Sequence, residues 1–248
     1  MKTFQRGELT TQQIVVITIL ITSFIVILFL LFRLNLGTED QKQICHNSVL
    51  LIDKSFGTLN CKVNYVCVSG GGSCENINPT ETVNIDPNDN QQIMKVISDK
   101  MAECWWMFGE GKVDYTKGKI NWLGTTACAI CSSVKFDESL KNRDVSNRDL
   151  FTFLSQNKYG DGTYLSYLFG TYDLNSLNLK DDFLNKKIDF SSQNLLVTGV
   201  TKEGVLDWKG FVTGIFKATD LHKAFLHVSF VKNSDIGTEG CDEFVTKA

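Results

Sequence analysis

Residues Ile14–Phe32 form an uncharged, strongly apolar run of nineteen, closed by Arg33. A helix rises about 1.5 Å per residue, so such a run spans roughly 28 Å, close to the hydrocarbon thickness of a bilayer. Thr18, Thr22 and Ser23 are its only polar side chains, and each can bond back to its own helix. The run reads as a transmembrane helix over 14–36 behind a short cytoplasmic tail over 1–13, with the lipid bilayer as its partner. A secretory signal has a shorter apolar core that ends in small residues. Here the bulky Leu31-Phe32-Arg33-Leu34-Asn35-Leu36 follows, which favours a retained anchor. Arg6-Gly7 ahead of the run also fits a prepilin-like signal, in which cleavage after Gly7 would leave the helix in the mature chain.

Flanking charge barely orients this helix. Lys2, Arg6 and the terminal amine precede it; Arg33 and Lys42 follow. The cysteines break the tie. All eight, Cys45, Cys61, Cys67, Cys74, Cys104, Cys128, Cys131 and Cys241, lie after the helix. An even number on one side points to an oxidising compartment and makes each a candidate for a structural disulfide. The expected location is the cell membrane, single-pass, with the N-terminus cytoplasmic and the C-terminal domain outside. The competing reading is a cytosolic domain with metal-bound or buried thiols. A net charge of −3 and a pI near 5.7 leave no basic footprint for nucleic acid. The remaining chain, about 210 residues, is long enough for one large core or two small ones.

Residues 37–43 are polar and read as a stalk before an extracytoplasmic domain over 44–248. Within it, 44–78 carries four cysteines and alternates short apolar runs, Val49–Ile52 and Val63–Val68, with turns; it reads as a strand-rich, bridge-stapled module. Pro79–Asn90 holds both prolines and many Asn and Asp residues, a plausible boundary before a main body over 88–248. Ile93, Ile97, Met101, Cys104, Trp105 and Phe108 recur at spacings of three and four, which predicts a helix from about Asn90 to Phe108. Asn88 or Asp89 can cap it, and Gly109 and Gly111 stop it. Val113–Thr116 and Lys119–Trp122 flank a predicted turn at Lys117-Gly118. Ala127–Phe136 reads as a buried strand. Ser146 with Asp149 resembles a capping box. Thr163–Phe169 reads as a short helix ending at Gly170. Asn194–Thr201, Gly210–Ala218 and Ala224–Val231 read as strands. Strands without long helices between them favour antiparallel pairing, so the expected fold class is α+β.

The strongest chemical motif is Cys128-Ala129-Ile130-Cys131. At a helix start such a pair can be a redox dithiol. On a strand, residues three apart face opposite ways, so each sulfur would seek another partner, and Cys104 is a natural one. A second bridge is expected among Cys45, Cys61, Cys67 and Cys74. Zinc ribbons commonly use two C-x2-C pairs, and only one is present; a mixed set of Cys128, Cys131, Cys104 and His46 would need reduced thiols. Trp105–Lys112 invites comparison with nucleotide loops, which fails: Trp106 and Val113 stand where a P-loop needs glycine and Ser or Thr. Adjacent tryptophans cannot share one stripe, so Trp105 and Trp106 form a candidate interaction surface, with Trp106 the better placed for a groove or interface. His46, His222 and His227 form no metalloprotease motif. Asp137-Glu138 and Asp181-Asp182 read as solvated acids. No cofactor or metal motif is complete, and no catalytic constellation emerges.

The strings Arg6-Gly7-Glu8-Leu9-Thr10, Cys104-Trp105-Trp106-Met107-Phe108-Gly109-Glu110-Gly111-Lys112, and Cys128-Ala129-Ile130-Cys131 with Phe136-Asp137-Glu138 occur in an order that resembles a family of uncharacterised archaeal single-pass membrane proteins. The resemblance implies membrane anchoring in an archaeal envelope and carries no activity. The resulting expectation is a non-enzymatic envelope protein acting in structure or interaction, with a protein partner or self-association. The alternatives are a membrane-tethered thiol–disulfide oxidoreductase using Cys128 and Cys131, and a pilin-like filament subunit.

Overall fold

In the computed structural model the apolar run is one helix, α1, from Thr11 to Arg33. The structure describes residues 11–33, 37–53, 58–116, 126–202, 223–232 and 243–246. Every large apolar side chain from Ile14 to Leu30 that α1 presents is exposed, and the stretch Gln12–Leu30 is long and apolar enough to cross a membrane. The Thr18 hydroxyl donates to the Ile14 carbonyl at 2.8 Å, that of Thr22 to Thr18 at 2.9 Å, and that of Ser23 to Leu20 at 2.9 Å. Each hydroxyl is thereby satisfied inside the helix.

The chain divides into two units, Met1–Asp40 and Gln41–Ala248. The expected stalk over 37–43 is instead the start of a second helix, α2, Gly37–Asp53. The strand expected at Val49–Ile52 is the end of that helix. Short apolar runs are ambiguous between the two states, and Lys42, Cys45 and Val49, at spacings of three and four, are the residues α2 buries.

The second unit is α+β around one six-stranded sheet. Its strands are β1 (Asn64–Ser69), β2 (Glu81–Asn84), β3 (Thr126–Phe136), then β6 (Asn194–Lys202), β7 (Lys223–Lys232) and β8 (Glu243–Phe244). Their order is β2-β1-β3-β6-β7, with β8 beside the start of β3. The antiparallel expectation holds for β3-β6-β7. The pairs β1–β2, β1–β3 and β3–β8 are parallel, so the sheet is mixed. β2 falls inside the boundary expected at Pro79–Asn90 and pairs with β1, and the β1–β3 ladder joins the two expected subdivisions.

Helix α3, Asn90–Met107, packs on β3, β6 and β7 and on two further helices, α4 (Asn147–Gln156) and α5 (Tyr164–Phe169). Its apolar stripe is buried as its spacing predicts, Trp105 included at 6 % exposure. The Asp89 side chain accepts the Gln91 amide and caps its start. Ser146 and Asp149 form the expected capping box on α4. A two-stranded hairpin, β4 (Lys158–Tyr159) and β5 (Gly162–Thr163), leads into α5, which ends at a left-handed Gly170. A one-turn helix, α6, covers Asp181–Leu184. The large core lies between these helices and one sheet face. Val63, Cys128, Ile130, Leu195 and Val197 form a small cluster on the other. Of the turn expected at Lys117-Gly118, Val113–Thr116 is not strand and the rest lies outside the described residues, as do Gly210–Ala218 and His222.

Candidate functional site

The disulfides decide what the cysteines can do. Cys45 bonds Cys61, Cys67 bonds Cys74, and Cys104 bonds Cys131. Cys131 is the extra residue of a bulge, where the β3–β6 register steps from Ile130↔Val197 to Ser132↔Leu196. Its side chain enters the large core and meets Cys104 on α3, while Cys128 enters the small cluster behind the sheet. The C-x2-C pair is therefore split across the sheet, both residues fully buried. With Cys104 and Cys131 joined, the mixed metal set with Cys128 and His46 is not assembled. Cys128 is also disulfide-bonded. Cys241, the remaining cysteine, lies outside the described residues. Peptide mapping without reduction should recover Cys128 in a disulfide; a free Cys128 thiol would contradict this reading.

The Trp105–Lys112 string is a helix exit. Gly109, Glu110 and Gly111 take φ of 79°, 55° and 69°, three successive left-handed residues that wind the chain off α3. A Cβ at Gly109 would stand 2.9 Å from Val113, so glycine is required there twice over. Trp105 lies in the core rather than on a surface. Trp106 is half-buried, and His46 of α2 stacks on it with ring centroids 4.1 Å apart and planes 12° from parallel. The His46 Nδ1–H donates to the Trp106 carbonyl at 2.8 Å, at the negative end of α3.

Beside this corner lies a face that sequence reading did not assemble. Asp99, Glu103, Trp106 and Glu110 follow one another at spacings of three and four along and just past α3. Tyr159 from β4 and Tyr164 and Tyr167 from α5 pack against them. The Tyr159 ring centroid is 4.9 Å from that of Tyr164 and 4.7 Å from that of Tyr167. The Tyr167 hydroxyl donates to Glu110 Oε1 at 2.8 Å, and the Tyr164 hydroxyl to Asp99. Burial first, and then these carboxylates, push both tyrosines far above the usual phenol value, so both remain donors. Tyr159 is raised by burial and then by the charges of Asp99, Glu103 and Glu110. Glu110 is held below its usual value by the Lys112 ammonium and, against burial, by Tyr167.

A second cluster joins β2, α3 and α2. The Lys100 ammonium contacts Glu81 at 2.6 Å and Glu103 at 2.9 Å, and Lys42 contacts the same two carboxylates. Both lysines are 7 % exposed. Burial alone would raise the Glu81 carboxyl, but Lys100, Lys42 and Asn64 outweigh it and hold it low. This quartet ties Lys42 of α2 to the rest of its unit.

The third cluster corrects a sequence expectation. Asp137 is not solvated: it is 1 % exposed, just past β3. Its Oδ2 accepts from the amides of Gly70 at 2.9 Å and Gly72 at 2.7 Å and from the Ser69 hydroxyl at 3.1 Å. Its Oδ1 accepts from the Ser139 amide at 3.0 Å and hydroxyl at 2.6 Å. The carboxyl ends of adjacent parallel strands are where such sheets commonly take ligands, and a glycine loop there could grip an anion. Here the chain's own carboxylate fills that grip. Among the described residues no group of three or more His, Cys, Asp or Glu could hold a metal ion.

Comparison with protein-family models, curated proteins and solved structures found no match.

Proposed function

We propose that this chain is a membrane-anchored protein whose disulfide-locked domain works outside the cytoplasm, in envelope structure or interaction rather than in turnover. The observation that carries this reading is the pairing of the cysteines beyond the apolar helix. Three bridges and a bonded Cys128 stand on one side of it. Such bonds persist in oxidising compartments and are rare in a reducing cytosol. The burial of Cys104, Cys128 and Cys131 supports a structural use, since a reactive thiol needs access and an electropositive setting. Helix α1 supplies the bilayer contact, and the half-buried aromatic face offers the domain a surface for a partner.

The test is a thiol count and disulfide map on protein from native membranes, alkylated at lysis. Eight oxidised cysteines, with the domain cleaved by protease added to intact cells, are expected. Free thiols at Cys104, Cys128 and Cys131, with the domain protected from protease, would overturn the reading.

A further inference from the structure

The cluster of Lys42, Lys100, Glu81 and Glu103 has a fifth member. Val66 pairs with Glu81 across β1 and β2, so Asn64, two residues earlier on β1, projects to the same sheet face as Glu81. Its Nδ2 donates to Glu81 Oε2 at 3.1 Å. The Lys42 ammonium reaches that same oxygen at 3.5 Å, whereas Lys100 holds the other, Oε1, at 2.6 Å. One carboxylate oxygen thus stands between an amine and a carboxamide nitrogen. The carboxamide oxygen of Asn64 accepts from the Thr80 hydroxyl, so both ends of the amide have partners that set its orientation. Lys42 is buried and Asn64 half-buried. Against burial, Lys100, Lys42 and Asn64 hold Glu81 below its usual value, so Oε2 is unprotonated and able to take a proton.

We propose that this is a self-modification site, at which the Lys42 amine displaces ammonia from the Asn64 side chain and leaves an isopeptide bond between α2 and β1. The atoms balance without a co-reactant. A proton passes from Lys42 Nζ to Glu81 Oε2, and the lone pair it leaves behind attacks Asn64 Cγ. The Thr80 hydroxyl stabilises the charge that develops on Oδ1. Glu81 hands its proton to Nδ2, the Cγ–Nδ2 bond breaks, and Oδ1 becomes a carbonyl again. The departing ammonia takes a second proton from Nζ and leaves as ammonium. Glu81 ends as a carboxylate that accepts from the new amide N–H, while Lys100 still contacts both acids. A carboxamide is a poor electrophile, and proximity is what lets it react: two nitrogens held at one relay oxygen make the step intramolecular. Lys42 is the lysine that reacts because it, and not Lys100, shares its oxygen with Asn64. The bond would run beside the Cys45–Cys61 bridge, which already ties α2 to the approach to β1. Helix α2 is the first element after α1 in the chain, so a pull on the anchor enters the domain there. A link that reduction cannot open would secure that entry.

The test is peptide mapping of the full chain, extracted in detergent, reduced, alkylated and cut with trypsin. A branched peptide should appear that is uncut after Lys42, joins Lys42 to Asn64, survives reduction, and is lighter by one ammonia than its two arms. Lys42→Arg, which keeps the positive charge, and Glu81→Gln, which removes the proton relay, should each abolish it. Cleavage after Lys42 with Asn64 unmodified, in wild-type protein whose Cys45–Cys61 bridge maps as oxidised before reduction, would overturn the proposal. So would loss of ammonia confined to Asn64, which marks a cyclic imide at that residue, or a branched peptide that Glu81→Gln leaves at wild-type yield. Should Glu81→Gln fail to fold, the wild-type map decides alone. A missing link together with eight oxidised cysteines leaves the envelope reading standing, so the two fail separately.

Discussion

Asp137→Ala should destabilise the domain by about 4 kcal/mol and lower its melting temperature by about 8–16 °C. The side chain accepts five hydrogen bonds, from Ser69, Gly70, Gly72 and both donors of Ser139. Bonds to a charged acceptor contribute about 1.5–3 kcal/mol each, and they do not add, because the donors relax together. What dominates is the donors left behind. The half-buried Gly70 amide and the hydroxyl of buried Ser69 would lose their charged acceptor, while the exposed Gly72 amide can turn to water. The effect also has a pH signature. Burial pushes the Asp137 carboxyl up, but Ser139, Gly72, Ser69 and Gly70 together hold it below the usual carboxylate range. A carboxyl lowered by folding adds stability above its unfolded value of about 3.9, and that stability is lost as pH falls from there through the folded value. Urea titrations of the wild type and the variant at pH 7 and at pH 3 or below should therefore show the gap narrowing at acid pH. A gap that stays constant would mean the carboxylate charge is not what holds the loop.

Removing the Cys104–Cys131 bridge should cost more than removing either of the others that join described residues. Its sequence separation is 27, against 16 for Cys45–Cys61 and 7 for Cys67–Cys74. Loop closure in the unfolded chain then gives about 3.6, 3.1 and 2.4 kcal/mol respectively. Cys104 and Cys131 are also the most deeply enclosed pair, joining α3 to the bulge of β3, so paired alanines leave a gap that neighbouring side chains must fill. Double alanine variants of each pair, compared by denaturant midpoint without reductant, should rank in that order. A bridge with a catalytic purpose would behave differently: Cys104→Ala/Cys131→Ala would keep its midpoint and lose thiol exchange with a small disulfide. That result would favour an oxidoreductase over a structural domain.

Much of this molecule was legible because the relevant physics is local. The α3 stripe from Ile93 to Phe108 follows from helical spacing. The Asp89 cap and the Ser146–Asp149 box act within one turn. Strands β3, β6 and β7 carry sustained apolar, β-branched runs. The assignment of Cys128 and Cys131 to opposite faces needed only the two-residue period of a strand, and Cys104 as a partner needed only the preceding helix. The bulge at Cys131 could not be foreseen, yet it leaves the two faces distinct.

The errors share a cause. Residues 37–53 read as stalk and strand because four consecutive apolar residues satisfy either state, and the deciding contacts of Lys42, Cys45 and Val49 are to distant elements. The parallel pairing of β1 with β2 and β3 was missed because β3 begins some sixty residues after β1, and no short-range signal sets that register. Asp137 looked like half of a solvated acidic pair. Its partners in the 69–72 loop lie 65 to 68 residues earlier, brought near only when β1 and β3 pair.

An apolar helix of membrane-spanning length, an acidic α+β domain rich in cysteine, and the local caps and stripes of its helices could all be read along the chain. Those features depend on spacing and composition, which are written along the chain. Which cysteines join, that a glycine loop closes on Asp137, and that tyrosines from β4 and α5 meet carboxylates along α3 emerged only in the folded chain. Those features depend on strand register and helix docking, where burial of one shared core, rather than any local preference, selects the partners.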